Sequence, residues 1–226
     1  MHLLVGFAAA VLSCVVLFIG AFYLRPAAFR VGARPERARC HVAEKMGFSC
    51  CISSDANEAF LKTLLGFSLF SHKDDVRITL SMRKHAPGVE IAVCDCRCAT
   101  GFAYLKKVHK ETVLVFRSDR LVLPSFSLYT RTTPRRLLDH AFSRHIDVTG
   151  HPLFSKRYLL HGSDEETIIG VFNAPVLRLL EEMKPLNLEG RGDTLIMYRS
   201  SAVVPASHLE GFVQEGQMLL DVFARS

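Results

Sequence analysis

The chain has 226 residues, 49% of them hydrophobic and 22% charged, with a formal net charge of +6 and no Trp. That length suits one domain plus a small addition, and the composition excludes a disordered chain, a collagen-like repeat and a disulfide miniprotein. A multi-pass transporter is excluded as well, because a single stretch of the sequence is long and apolar enough to span a bilayer.

That stretch is residues 3–24, which carry no charge. As a helix rising about 1.5 Å per residue it is about 33 Å long, against a hydrocarbon core of about 30 Å. It lacks the polar face that a helix of a soluble domain needs. A cleaved signal peptide is the rival reading, but such peptides begin with basic residues and have a shorter apolar run. Here only His2 precedes the run, and the run continues well past the Cys14 of a faint lipoprotein-like Val11-Leu12-Ser13-Cys14. Residues 1–24 are therefore expected to form a transmembrane helix with Tyr23 at the interface.

Arg25, Arg30, Arg34, Arg37 and Arg39 follow it, opposed by Glu36. Basic residues beside a span stay on the cytoplasmic side. The expectation is a single-pass protein of the bacterial inner membrane, N-terminus outside. Residues 25–39 would form a basic juxtamembrane linker and residues 40–226 a cytoplasmic domain. The arginines would touch the bilayer interface and its anionic headgroups. The rest of the chain is close to neutral, so no nucleic-acid partner is expected. Seven Cys, an odd number, suit a reducing compartment in which thiols stay unpaired.

From Cys40 onward the pattern predicts a short helical patch over 43–46 ending at Gly47, then a helix over 57–65. Strict alternation over 76–82 predicts a half-buried strand. The His85-Ala86-Pro87-Gly88 turn leads to a partner strand over 89–98. Strands over 112–116 and 121–123 would complete an antiparallel meander. Thr133-Pro134 opens a helix over 135–143. A short strand over 157–160 precedes a capping box, Ser163 with Glu166, at the start of the next helix. Pro175 should kink or restart that helix. Residues 186–189 and 194–198 read as a hairpin closed by Gly190-Arg191-Gly192. The last helix opens near Pro205, with Leu209, Phe212, Val213, Gly216, Leu220 and Phe223 as its apolar stripe. The predicted fold class is α+β: a transmembrane helix, then one domain with an antiparallel meander sheet packed by flanking helices.

Cys94, Cys96 and Cys98 alternate on a predicted strand and so share one face. Side chains two apart on a strand sit about 6.5–7 Å from each other, whereas zinc with Zn–S bonds of about 2.3 Å needs closer sulfurs. They are read as core-filling thiols, and a thiol-based metal or redox sensor is the minor alternative. Asp95 and Arg97 would then face the wetter side. His140, His145, Asp147 and His151 form a loose cluster with Ser155 nearby. Ser155 lacks a nucleophile-elbow context, and phosphate-loop, dinucleotide and zinc-protease motifs are absent from the sequence. The basic run over 131–136 stands at a predicted helix start, where the dipole disfavours cations.

Five segments carry a resemblance: residues 65–70, 89–98, 112–116, His145-Ile146-Asp147-Val148, and Pro152-Leu153-Phe154-Ser155-Lys156-Arg157-Tyr158-Leu159-Leu160-His161-Gly162. Together they resemble a family of bacterial single-pass membrane-anchored proteins without assigned activity. That family has a Phe-Asp-Tyr-like strand and a Pro-x-Phe-Ser-x-x-Tyr-x-Leu-x-Gly segment. The likeness covers residues 60–225 and the N-terminal span. Cys94, Cys96 and Cys98 stand where the family carries large apolar or aromatic residues, which also favours packing. The family brings no catalytic residue. The functional expectation is a membrane-tethered cytoplasmic binding or scaffold module, with an unknown protein partner and no cofactor. The alternatives are a motif-less hydrolase using His145, Asp147 and Ser155, or the thiol sensor.

Overall fold

The computed structural model describes residues 35–52, 54–70, 74–100, 107–131 and 145–226. The expected membrane helix over 1–24, most of the linker and the helix over 135–143 lie outside the described residues. A first helix, α1, covers 35–45, so the end of the expected linker is helical. Then follow β1 (Ser49–Cys51), α2 (Ser54–Leu64), β2 (Asp74–Ala86), β3 (Val89–Thr100), β4 (Lys107–Ser118), β5 (Leu123–Thr130) and β6 (His145–Ile146). The second half holds α3 (Pro152–Arg157), β7 (Tyr158–Gly162), α4 (Glu165–Val171), α5 (Ala174–Glu182), β8 (Asn187–Gly192), β9 (Thr194–Tyr198) and α6 (Ala206–Phe223).

The expected fold class is corrected. Among the described residues no helix is long and apolar enough to cross a membrane. The sheet is a nine-stranded antiparallel one in the order β1-β2-β3-β4-β9-β8-β5-β7-β6. β2, β3 and β4 do form a meander. The strand after them does not extend it, because β4 takes β9 as its other neighbour and β5 lies between β8 and β7. The reason is burial: Leu195, Ile196, Met197 and Tyr198 are fully buried, and a strand apolar on both faces belongs in the middle of a sheet.

The two faces bury separate cores. The first gathers Leu80, Met82, Leu114, Phe116, Leu195 and Met197 under α3 to α6. The predicted stripe of α6 is buried throughout, each large member contributing on the order of 1.5–3 kcal/mol by leaving water. Pro175 stands in the first turn of α5 after an Asn173 cap, so the helix restarts there rather than kinking. The second core packs Phe60 and Leu64 of α2, and Phe67, Leu69 and Phe70 just after it, on Cys94, Cys96, Val113, Val115, Ile196 and Tyr198.

Four local readings change. The β8–β9 connection is tighter than expected: Gly190 pairs with Leu195 and Arg191 with Thr194, so the turn is Gly192-Asp193, with Gly192 at φ 57°. The helix cap after β7 is Asp164, which accepts from the Thr167 amide at 3.2 Å, not Ser163. Asp95 is buried rather than facing water, and Arg39, read as part of the basic collar, is buried with it. The guanidinium pairs with both Asp95 oxygens, one of them at 2.9 Å. Thr112 donates to Asp95 at 2.7 Å and accepts from the Val204 amide at 2.9 Å, so the pair clamps α1 and the segment before α6 to the sheet. Finally, the cysteines are not all thiols, since Cys40 and Cys50 form a disulfide between α1 and β1.

Candidate functional site

The second face is covered unevenly. α2 and the turn after it lie over its β2-side half, and their apolar side chains match apolar strand residues below. Toward β5, β7 and β8 the alternate positions become polar. The register aligns them in one transverse row. His145 on β6 pairs with His161 on β7, His161 with Ser127 on β5, and Ser127 with Glu189 on β8. The row then continues as Ile196, Val115 and Ala92. Opposed residues of an antiparallel pair have Cβ atoms about 4.5–5.5 Å apart, so these polar groups are mutual neighbours.

Glu189 is 1% exposed. A buried carboxylate must be hydrogen-bonded. Tyr198 donates to Glu189 Oε1 at 2.9 Å, and Tyr129 reaches the same oxygen at 3.4 Å. Ser68, in the turn after α2, meets Ser127 hydroxyl to hydroxyl at 3.2 Å. The His161 ring lies 6.2 Å from the Tyr129 ring and 5.6 Å from that of His145.

A cleft of about 150 Å³ opens onto this row. Ser68, Ser127, His161 and Glu189 supply its polar wall, Phe67 an aromatic one, and Arg191 its lip. The Arg191 guanidinium lies 6.0 Å from the Phe67 ring centre and donates to Ser125 at 3.3 Å. Gly66 keeps the lip open, since a Cβ there would fall 2.6 Å from an Arg191 nitrogen. Gly190 faces the other side of the sheet, where a Cβ would fall 2.3 Å from the Phe126 ring of the first core. The cleft therefore presents a carboxylate, serine hydroxyls, an imidazole and a guanidinium around a space the size of one small ring. Such a set both donates and accepts hydrogen bonds.

Of the candidate site residues singled out from the sequence, His145 begins the polar row, and none lines the cleft. Tyr23, Arg25, Arg30, Arg34 and His140 are outside the described residues. Arg37 is exposed on α1, and Arg39 is locked to Asp95. Of the hydrolase set, His145 and Asp147 do meet, at 3.0 Å, but the Ser155 hydroxyl donates to the Val148 carbonyl at 3.3 Å. His151 faces Glu181 at 3.4 Å. Cys94, Cys96 and Cys98 are buried, and the sulfurs of Cys94 and Cys96 are 3.8 Å apart. This corrects the spacing expected from the backbone, because the two side chains lean toward each other along the strand. Among the described residues no group of three or more His, Cys, Asp or Glu is arranged to hold a metal ion.

Sequence reasoning missed Ser68, Ser127, His161, Glu189 and Arg191. One signal for them existed. Phe126-Ser127-Leu128-Tyr129 and Leu186-Asn187-Leu188-Glu189 alternate apolar and polar as half-buried strands do, yet both lie in the interior of the sheet. A polar residue on the covered face of such a strand marks a site.

No family model matches the chain, and no curated protein matches it. A solved structure with a similar fold is the crystal structure of the mycobacterial trehalose monomycolate transport factor A, TtfA. It superposes with a TM-score of 0.56 at 12% sequence identity, covering 84% of this chain and 92% of that one. The likeness is one of fold.

Proposed function

We propose that this domain is a non-catalytic binding module whose cleft receives a hydroxyl-rich head group, such as one ring of a sugar. The observation that carries the reading is the buried Glu189 carboxylate beside the Ser68–Ser127 hydroxyl pair, under an aromatic and guanidinium lip. A sugar ring edge offers hydroxyls that donate to a carboxylate and accept from serine and guanidinium, and its apolar face packs on an aromatic ring. An anionic ligand fits less well, since Glu189 would repel it from the deepest point of the cleft. The fold shared with a trehalose monomycolate transport factor supports a carrier or docking role over a chemical one.

The test is a titration of the isotope-labelled chain with trehalose and with glucose, followed through the amide signals. Saturable shifts confined to Gly66, Ser127, Gly190 and their neighbours are expected. Glu189→Gln should weaken binding by roughly tenfold, the loss of about 1.4 kcal/mol of charge-assisted hydrogen bonding. A flat response of the cleft amides to both sugars would overturn the proposal.

A further inference from the structure

The cleft has an apolar neighbour. Between α2 and the first residues of β2 lies a groove of about 440 Å³, lined by Leu61, Leu65, Val76 and Ile78. Leu65 is 51% exposed, a large apolar side chain left at the mouth of the groove. Charged residues reach its rim, but they are matched within the chain. Lys62 lies 3.6 Å from Glu58, and Arg77 lies 2.7 Å from Asp75. Among the described residues the groove therefore presents hydrocarbon below a rim of ion-paired side chains.

The two concavities meet at one point of the backbone. Leu65 lines the groove, and Gly66, the next residue, lines the cleft. Consecutive Cα atoms are about 3.8 Å apart, so the turn that ends α2 is a wall common to an apolar space and a polar one. Gly66, without a side chain, leaves that wall low on the cleft side. A free sugar would use the cleft and leave the groove in water. A ligand that is polar at one end and hydrocarbon at the other would fill both.

We infer that the cleft and the groove are two halves of one amphiphile site, the groove holding the first part of an alkyl or acyl chain whose polyol head occupies the cleft. The inference rests on the head-group reading above and adds the substrate class: a glycolipid-like amphiphile rather than a soluble sugar. Leu65 is its specificity-determining residue, because it touches the chain and not the head.

The experiment compares octyl glucoside, below its micelle concentration, with glucose on the full chain, using the wild type, Leu65→Asn and Val76→Asn. Leu65 and Val76 are at least partly exposed, so both variants should fold, which circular dichroism checks. The octyl compound is expected to bind at least tenfold more tightly than glucose, the effect of burying about two methylenes. Both variants should lose most of that gain while leaving glucose binding unchanged. Equal affinity for the two ligands would overturn the groove assignment and leave the head-group reading standing. A gain that survives both substitutions would place the chain elsewhere and also overturn it. Binding of neither ligand would overturn both. Octyl binding that is sensitive to Leu65→Asn, with no glucose binding, would uphold the groove and sink the sugar reading of the cleft.

Discussion

Glu189 on β8 and Ile196 on β9 are register partners, and between them the row across the second face of the sheet changes from polar to apolar. On the Ile196 side the row is sealed by the side chains of α2 and the turn that follows it. On the Glu189 side it opens into the cleft. Ending the apolar cover at this boundary leaves a buried carboxylate in the wall of the cleft.

That carboxylate depends on its tyrosines. Tyr198→Phe removes the 2.9 Å hydroxyl donor and leaves Glu189 less satisfied in a buried place. The expected loss is about 1–3 kcal/mol of unfolding free energy, measured as a lower urea midpoint at unchanged slope. An unshifted midpoint would show that Glu189 is satisfied without Tyr198.

The Arg39–Asp95 pair predicts strong coupling. Both side chains are nearly inaccessible, so Arg39→Met strands a buried carboxylate and should cost about 3–5 kcal/mol. Adding Asp95→Leu removes the stranded charge and should recover most of that loss, even though two polar residues are then gone. Chemical denaturation of the two single variants and the double variant closes the cycle. Additive losses would contradict a direct pairing.

Gly216 separates two opposed expectations. From helix propensity alone, Gly216→Ala in α6 should stabilise by up to about 1 kcal/mol. Its new Cβ, however, would lie 2.3 Å from Leu114 Cδ2 and 2.8 Å from the Phe116 ring. Overpacking of this kind typically costs about 1–3 kcal/mol, so a lower melting temperature is expected. A raised one would mean that α6 can shift away from β4.

Asp164 introduces a pH dependence. Its carboxylate caps α4, and hydrogen bonds donated by the Thr167 side chain and, second, by the Thr167 amide hold its pKa below the ordinary aspartate value. A carboxyl group with a depressed folded pKa contributes stability above its unfolded pKa, and that contribution is lost as pH falls through the folded one. Asp164→Ala should therefore be less stable than the wild type at neutral pH, with the gap closing in acid as the wild type loses the same contribution. Asp164→Asn keeps a capping oxygen without titrating, so its stability should depend less on pH below about 4. Thermal melts across that range measure both. A gap between wild type and Asp164→Ala that stays constant into acid would rule out the carboxylate as the cap.

Much of the local structure was legible from residue order alone. The α6 stripe, a helix break at Pro175, the β2–β3 hairpin and the burial of Cys94, Cys96 and Cys98 follow from periodicity, proline geometry and side-chain apolarity. These are properties of short stretches of chain. Tertiary structure decided which strands became neighbours. β9 displaced β5 from the side of β4 because a strand apolar on both faces gains most in the centre of a sheet, and no local signal carries that competition. The cleft follows from the same choice. Ser127, His161 and Glu189 are distant in sequence and become adjacent only when β5 settles between β7 and β8. The fate of Arg39 was decided in the same way, because a charge beside a basic run reads as solvated until the fold brings a buried carboxylate against it.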